Sequence, residues 1–154
     1  MPSYFDIYVI SQDRNESAIE GFLNEFLPIR EESADEYPYP QFSENADVTY
    51  KDVQKILKMC CAWKSSKYAL YWHALENRKP EHAMIIFLKD GHIIFGLSTN
   101  DADPEYANEI LGMMKIKLKS TLGFIGHEAS PSVSDLQEFQ AQIEAHIGIL
   151  DDNI

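Results

Sequence analysis

The stretch HAMIIFLKDGHIIFGL, residues 82–97, is two apolar runs broken by Lys-Asp-Gly. Asp90-Gly91 between such runs is the strongest short-range hairpin signal in the chain. A two-residue type I′ turn at this point sets Lys89 against His92, Phe87 against Ile94, Ile85 against Gly96 and His82 against Thr99. His92 then lies at the turn and His82 at the far end, roughly 23 Å away at the rise of a strand. Two histidines sharing an ion each place a nitrogen about 2 Å from it. His82 and His92 therefore do not form a metal site together.

Outward from the hairpin, residues 67–75 read as the preceding strand, and its register decides which side chains share a face. Setting Trp72 against Met84 and Leu70 against Ile86 puts Tyr68, Leu70, Trp72, Met84, Ile86, Leu88, Ile93, Phe95 and Leu97 on one apolar face. A slip of one residue moves every side chain to the other face, so the register with one coherent apolar face is expected. It places His73 opposite Ala83 rather than His82. The second face carries Ala69, Tyr71, His73, Leu75, Ala83, Ile85, Phe87, Ile94, Gly96 and Ser98. Its polar groups, Tyr71, His73 and Ser98, are a candidate ligand face, and the same surface is a candidate contact in a homodimer or larger homo-oligomer.

Residues 4–10 are a first strand, β-branched and aromatic. A helix follows over 15–27, with Ala18, Ile19, Phe22, Leu23, Phe26 and Leu27 at helical spacing and Pro28 as its stop. Residues 31–47, EESADEYPYPQFSENAD, carry six acidic residues, no basic ones and two prolines, and read as a long surface loop. A second helix covers about 50–63, with Thr49 and Asp52 as a capping box. Three strands at 67–75, 81–88 and 92–98 lead to a helix capped by Asp103 with Pro104 at its first position. A short edge strand is expected at 122–128. A last helix over 134–147, with Ser134 and Gln137 as its box, ends at Gly148. The order β-α-α-β-β-β-α-β-α predicts a single α+β domain over 1–154, with a largely antiparallel sheet of about four to five strands and helices packed on it.

The chain has 154 residues with 13 basic and 25 acidic side chains, a net charge of −12. Such a field repels phosphate backbones and anionic lipid surfaces and attracts basic proteins. No nucleic acid or membrane partner is therefore expected, and a basic protein is. Its two cysteines, Cys60 and Cys61, are adjacent, a spacing that rarely meets disulfide geometry. With no secretory leader pattern at the start of the sequence, a cytoplasmic location is expected.

Phosphate-binding glycine loops, H-E-x-x-H and C-x-x-C are all missing from the sequence, and no cofactor, metal or catalytic residue is assigned. His127 and Glu128 are neighbours, which on a strand point to opposite faces. A set of Ser98, His73 and Asp101 has no spacing that supports hydrolysis. The segment that stands out is 31–47. Glu31, Glu32, Asp35 and Glu36 interleave with Tyr37, Tyr39 and Phe42, and rings surrounded by one sign of charge suit an oppositely charged protein. These seven residues are the candidate partner-binding site.

A small, acidic, cysteine-poor α+β chain without catalytic motifs resembles the bacterial immunity proteins that neutralise toxins, often basic nucleases. The resemblance is one of composition and element order. It implies tight stoichiometric binding that blocks a toxin's active surface, without catalysis, and it transfers no individual residue.

Overall fold

In the computed structural model, which describes residues 3–127, 131 and 133–146, eight strands and four helices form an α+β arrangement. The elements are β1 (Tyr4–Ser11), α1 (Glu16–Phe26), β2 (Arg30–Glu32), β3 (Tyr37–Tyr39), β4 (Val48–Tyr50), α2 (Val53–Ala62), β5 (Tyr68–Ala74), β6 (His82–Phe87), β7 (Ile93–Asn100), α3 (Pro104–Leu118), β8 (Gly123–His127) and α4 (Leu136–His146). Six strands form one antiparallel sheet in the order β2-β5-β6-β7-β1-β8, and β3 pairs with β4. The five strands expected from the sequence are all present. The additional three, β2 to β4, fall within or beside the stretch read as a loop. Glu128, Ile147 and Gly148 lie outside the described residues.

Helix starts follow local chemistry. Asn15 and Asp103 each accept a backbone N–H of the first turn, from Ala18 and Tyr106. Asp52 caps α2 directly through the Gln54 N–H, so no box with Thr49 forms. Asp135, rather than Ser134, takes the Glu138 N–H before α4. Asp52, one methylene shorter than Glu, fits the cap itself better than the third helical position, and the second box moves one residue along, with Asp135 as cap and Glu138 Oε2 accepting the Ser134 N–H at 3.4 Å.

Helices α1, α2 and α3 cover one sheet face. Ile7, Val9, Leu70, Trp72, Ala83, Ile85, Phe87, Ile93, Phe95 and Leu97 supply the sheet side of that core. Helix α4 covers part of the other face, where Phe139 packs with Tyr8, Ile10, Met84, Leu88, Ile94 and Phe124. Strand β7 is buried on both faces, as its continuous apolar run requires.

The hairpin differs from the expected one by one residue. Leu88 N–H donates to His92 O at 3.0 Å and Gly91 N–H to Leu88 O at 3.2 Å, so three residues, Lys89 to Gly91, form the loop. Gly91 sits at φ +94°, the left-handed position of a three-residue hairpin. His82 consequently faces Ser98, Ile85 faces Phe95 and Ile86 faces Ile94. The β5–β6 register shifts by one as well: Trp72 faces Ala83, and His73 faces His82. Strand β6 is thus inverted against both neighbours. Both of its faces are apolar, so periodicity did not distinguish them. Ala83, Ile85 and Phe87 take the fully buried side.

Gly123 faces Val9 in the β1–β8 ladder. A Cβ there would meet Tyr8 O at 2.7 Å, Val9 Cγ2 at 2.9 Å and Leu111 Cδ1 at 3.0 Å. The backbone carbonyl cannot rotate aside without breaking the β1–β8 ladder. Gly123→Ala is expected to cost about 2 kcal/mol, in the range of overpacking. That corresponds to a melting temperature roughly 5 °C lower for a chain of this size. An unchanged thermal transition would show that β8 yields freely.

Candidate functional site

Helix α4 leaves the β2 side of its sheet face open, and the candidate residues gather there. In successive strands, Glu31 faces His73, His73 faces His82, His82 faces Ser98, and Ser98 faces Asp6. One transverse row therefore crosses five strands with polar side chains. Adjacent members are about 4.8 Å apart, the spacing of strands. The row arises because the two register shifts put His82 on this face.

Local contacts hold the row. Glu31 Oε2 lies 3.7 Å from His73 Nε2, and Ser33 Oγ lies 3.3 Å from His73 Nδ1. The Ser98 hydroxyl donates to Asp6 Oδ1 at 2.6 Å. The His82 ring meets the Tyr4 ring edge-on, with centroids 5.3 Å apart. Ser98 and His73 lie on either side of His82, and Asp101 pairs with His127 at 2.8 Å. Ser98, His73 and Asp101 are consequently not one constellation. Among the described residues, no three His, Cys, Asp or Glu side chains come together to hold a metal ion.

The acidic segment borders this row. Strand β2 adds Arg30–Glu32 to the β5 edge, and the chain then leaves the sheet. Tyr37 is buried, 3% exposed, with its hydroxyl donating to Glu32 Oε1 at 2.5 Å. Burial, then this carboxylate, push its pKa well up. Tyr37 is thus a core residue rather than a presented ring. Tyr39 is half-buried, stacked on Tyr68 and tilted against Trp63. Phe42 alone of the three stands out, 89% exposed at φ +66°. Glu31, Glu32, Asp35 and Glu36 are exposed, and Glu36 pairs with Lys51.

Between this segment and β5 lies an apolar cleft of about 360 Å3, within the range of small ligand sites. Its walls include Ala34, Tyr37, Phe42, Tyr68, Leu70 and Tyr71. Tyr71, 47% exposed, joins the cleft to the open sheet face. The acidic loop and the Tyr71, His73 and Ser98 face, two separate candidates in the sequence, are one continuous surface.

Sequence reasoning missed Arg14. It is 1% exposed, and its guanidinium donates to the carbonyls of Cys60, Trp63, Ser66, Leu88 and His92 and to Ser66 Oγ, at 2.5 to 3.3 Å. It also lies 4.8 Å from the centre of the Phe87 ring. Burial lowers its pKa, but none of its hydrogen-bond acceptors is a carboxylate. An arginine just before a helix gives no sequence signal of this role. The cysteines beside it are packing residues: burial pushes the Cys60 thiol up to about 11, and raises that of Cys61.

Asp90, read from the sequence only as a turn residue, also ties α4 to the hairpin. Its Oδ1 accepts from His92 N–H at 2.9 Å and its Oδ2 from Leu136 N–H at 2.8 Å. Burial raises its pKa, but these hydrogen bonds and His92 outweigh burial and hold the carboxyl below its ordinary value. No helix among the described residues is long and apolar enough to cross a membrane. Compared with known families, curated proteins and solved structures, the chain matches none.

Proposed function

We propose that this chain binds a basic protein through the cleft between β5 and the 33–42 segment. The observation that carries the reading is Phe42, almost wholly exposed at an apolar cleft that Tyr71 and Glu36 also line, with Asp35 next to Glu36 in the chain and Glu31 and Glu32 on the adjoining strand β2. Exposing a phenylalanine at a left-handed backbone position has two costs, apolar hydration and backbone strain, and gains no core contact. Presenting a ring to a partner gives it a purpose. The ring supplies binding area, and the carboxylates supply association rate and selectivity for cations. An inhibitor of the immunity type, seated on the active surface of a basic toxin, is the form of this activity that suits the net charge of −12.

Panning a random peptide display library against the protein tests the reading. Enriched peptides should combine lysine or arginine with apolar residues and bind more weakly as salt rises. Phe42→Ala should weaken them about 30-fold, the effect of losing an anchor residue. Peptides that bind Phe42→Ala as well as the parent would remove Phe42 from the site and overturn the reading.

A second reading rests on the transverse row of Glu31, His73, His82, Ser98 and Asp6. Its two imidazoles and one hydroxyl, between a carboxylate at each end, suit a small polar ligand laid across the strands. Titration of a fragment set, followed by the ring resonances of His73 and His82, tests it, and unmoved rings across the set would discard it.

A further inference from the structure

We infer that the basic partner enters as a β-strand, added to the free half of the β5 edge in place of the Gln41 side chain. This rests on the reading above and specifies its geometry. Strand β2 pairs with β5 only over Trp72–Ala74, and the last backbone bond along that edge is Ser33 N–H to Tyr71 O at 3.0 Å. The chain then swings away and returns one side chain. Gln41 Nε2 donates to Ala69 O at 2.8 Å, and Ala69 N–H donates to Gln41 Oε1 at 2.8 Å.

In an antiparallel ladder, a hydrogen-bonded pair exchanges both N–H···O bonds between two residues facing each other. The Gln41 amide reproduces that exchange with a side chain. It holds one rung of the ladder without the strand, and the apolar cleft lies along the same edge, lined by Ala69, Leu70 and Tyr71. A side-chain amide is tethered by rotatable bonds, so an incoming backbone can displace it and keep both hydrogen bonds. Alternate residues of the added strand would meet the cleft with Phe42 and Tyr71, and lysines or arginines would meet Glu36 at the cleft and the field of Asp35, Glu31 and Glu32 beyond it. The same four carboxylates repel a second copy of this chain, so the occupant is a cationic segment rather than a twin edge. Main-chain bonds supply affinity and the alternate side chains supply selectivity, as in other strand additions.

The probe is a short blocked peptide alternating lysine with valine, titrated calorimetrically into the full chain at low salt. A second version is N-methylated at the residues that would face Ala69. Methylation should weaken binding about tenfold or more, because a ladder donor is lost. Gln41→Ala should tighten the parent peptide about tenfold, because its two competing hydrogen bonds are gone. The Ala69 amide should exchange rapidly in free Gln41→Ala and become protected when the peptide is bound. If the parent binds with dependence on Phe42 but methylation and Gln41→Ala change nothing, the cleft binds cations without strand addition and this inference fails alone. If the parent peptide does not bind at low salt, the inference and the binding reading fall together.

Discussion

Arg14→Ala should destabilise the fold by about 4 kcal/mol or more, an exceptional loss for one side chain. The guanidinium donates to five backbone carbonyls from three separate segments: the C-terminal end of α2 with its cap at Cys60 and Trp63, the following turn at Ser66, and the hairpin pair Leu88 and His92. Removing it takes the side-chain donor from the Cys60 and Ser66 carbonyls, while those of Leu88, His92 and Trp63 lose a second donor and keep the N–H of Gly91, Leu88 and Ser66. Each buried unsatisfied group costs about 1–3 kcal/mol. A cation at the end of α2 also meets the negative end of the helix dipole. Arg14→Lys keeps the charge but supplies three donors instead of a planar fork of five, so it should recover only part of the loss. Urea denaturation of the wild type and both variants measures the effect. A midpoint for Arg14→Ala close to that of the wild type would show that water or rearranged backbone satisfies the carbonyls.

Reversing the acidic edge should weaken association with the lysine–valine peptide about 100-fold at low salt and flatten its salt dependence. The variant combines Glu31→Lys, Asp35→Lys and Glu36→Lys with Glu32→Gln. Glu32 is changed only to Gln because it accepts the buried Tyr37 hydroxyl, and an oxygen must remain there. The other three are exposed, and the Glu36–Lys51 pair is a surface contact of little stabilising value. The fold should therefore survive, which a near-UV circular dichroism spectrum unchanged from the wild type would establish. An unchanged affinity in the folded variant would locate the cationic contact elsewhere on the molecule.

Much of the architecture was legible in residues 4–10, 67–75, 81–88, 92–98 and 122–128, because β-branched and aromatic runs between turn residues have few other solutions. The same holds for α1 and α3, whose apolar spacing and caps are local features. The short strands β2, β3 and β4 were not legible. Arg30–Glu32 and Tyr37–Tyr39 have no strand pattern of their own and form because neighbouring backbone needs partners. In the candidate site, the acidic residues and Phe42 were evident from charge and spacing. The burial of Tyr37 was not, because a tyrosine in an acidic segment reads alike whether it points in or out.

The sequence by itself determined the α+β class, the hairpin at Asp90-Gly91 and the acidic segment that borders the site. Each is set by properties of a few adjacent residues: alternation, turn chemistry and charge. The tertiary structure decided the register. Asp90 and Gly91 are compatible with a two-residue or a three-residue loop, and both faces of β6 are apolar. The choice falls to contacts from distant segments. Arg14 holds both carbonyls of the closing pair Leu88 and His92, and Asp90 holds the start of α4. The inversion of β6 brings His82 opposite both His73 and Ser98, and the pairing of β2 with β5 joins the acidic segment to that row.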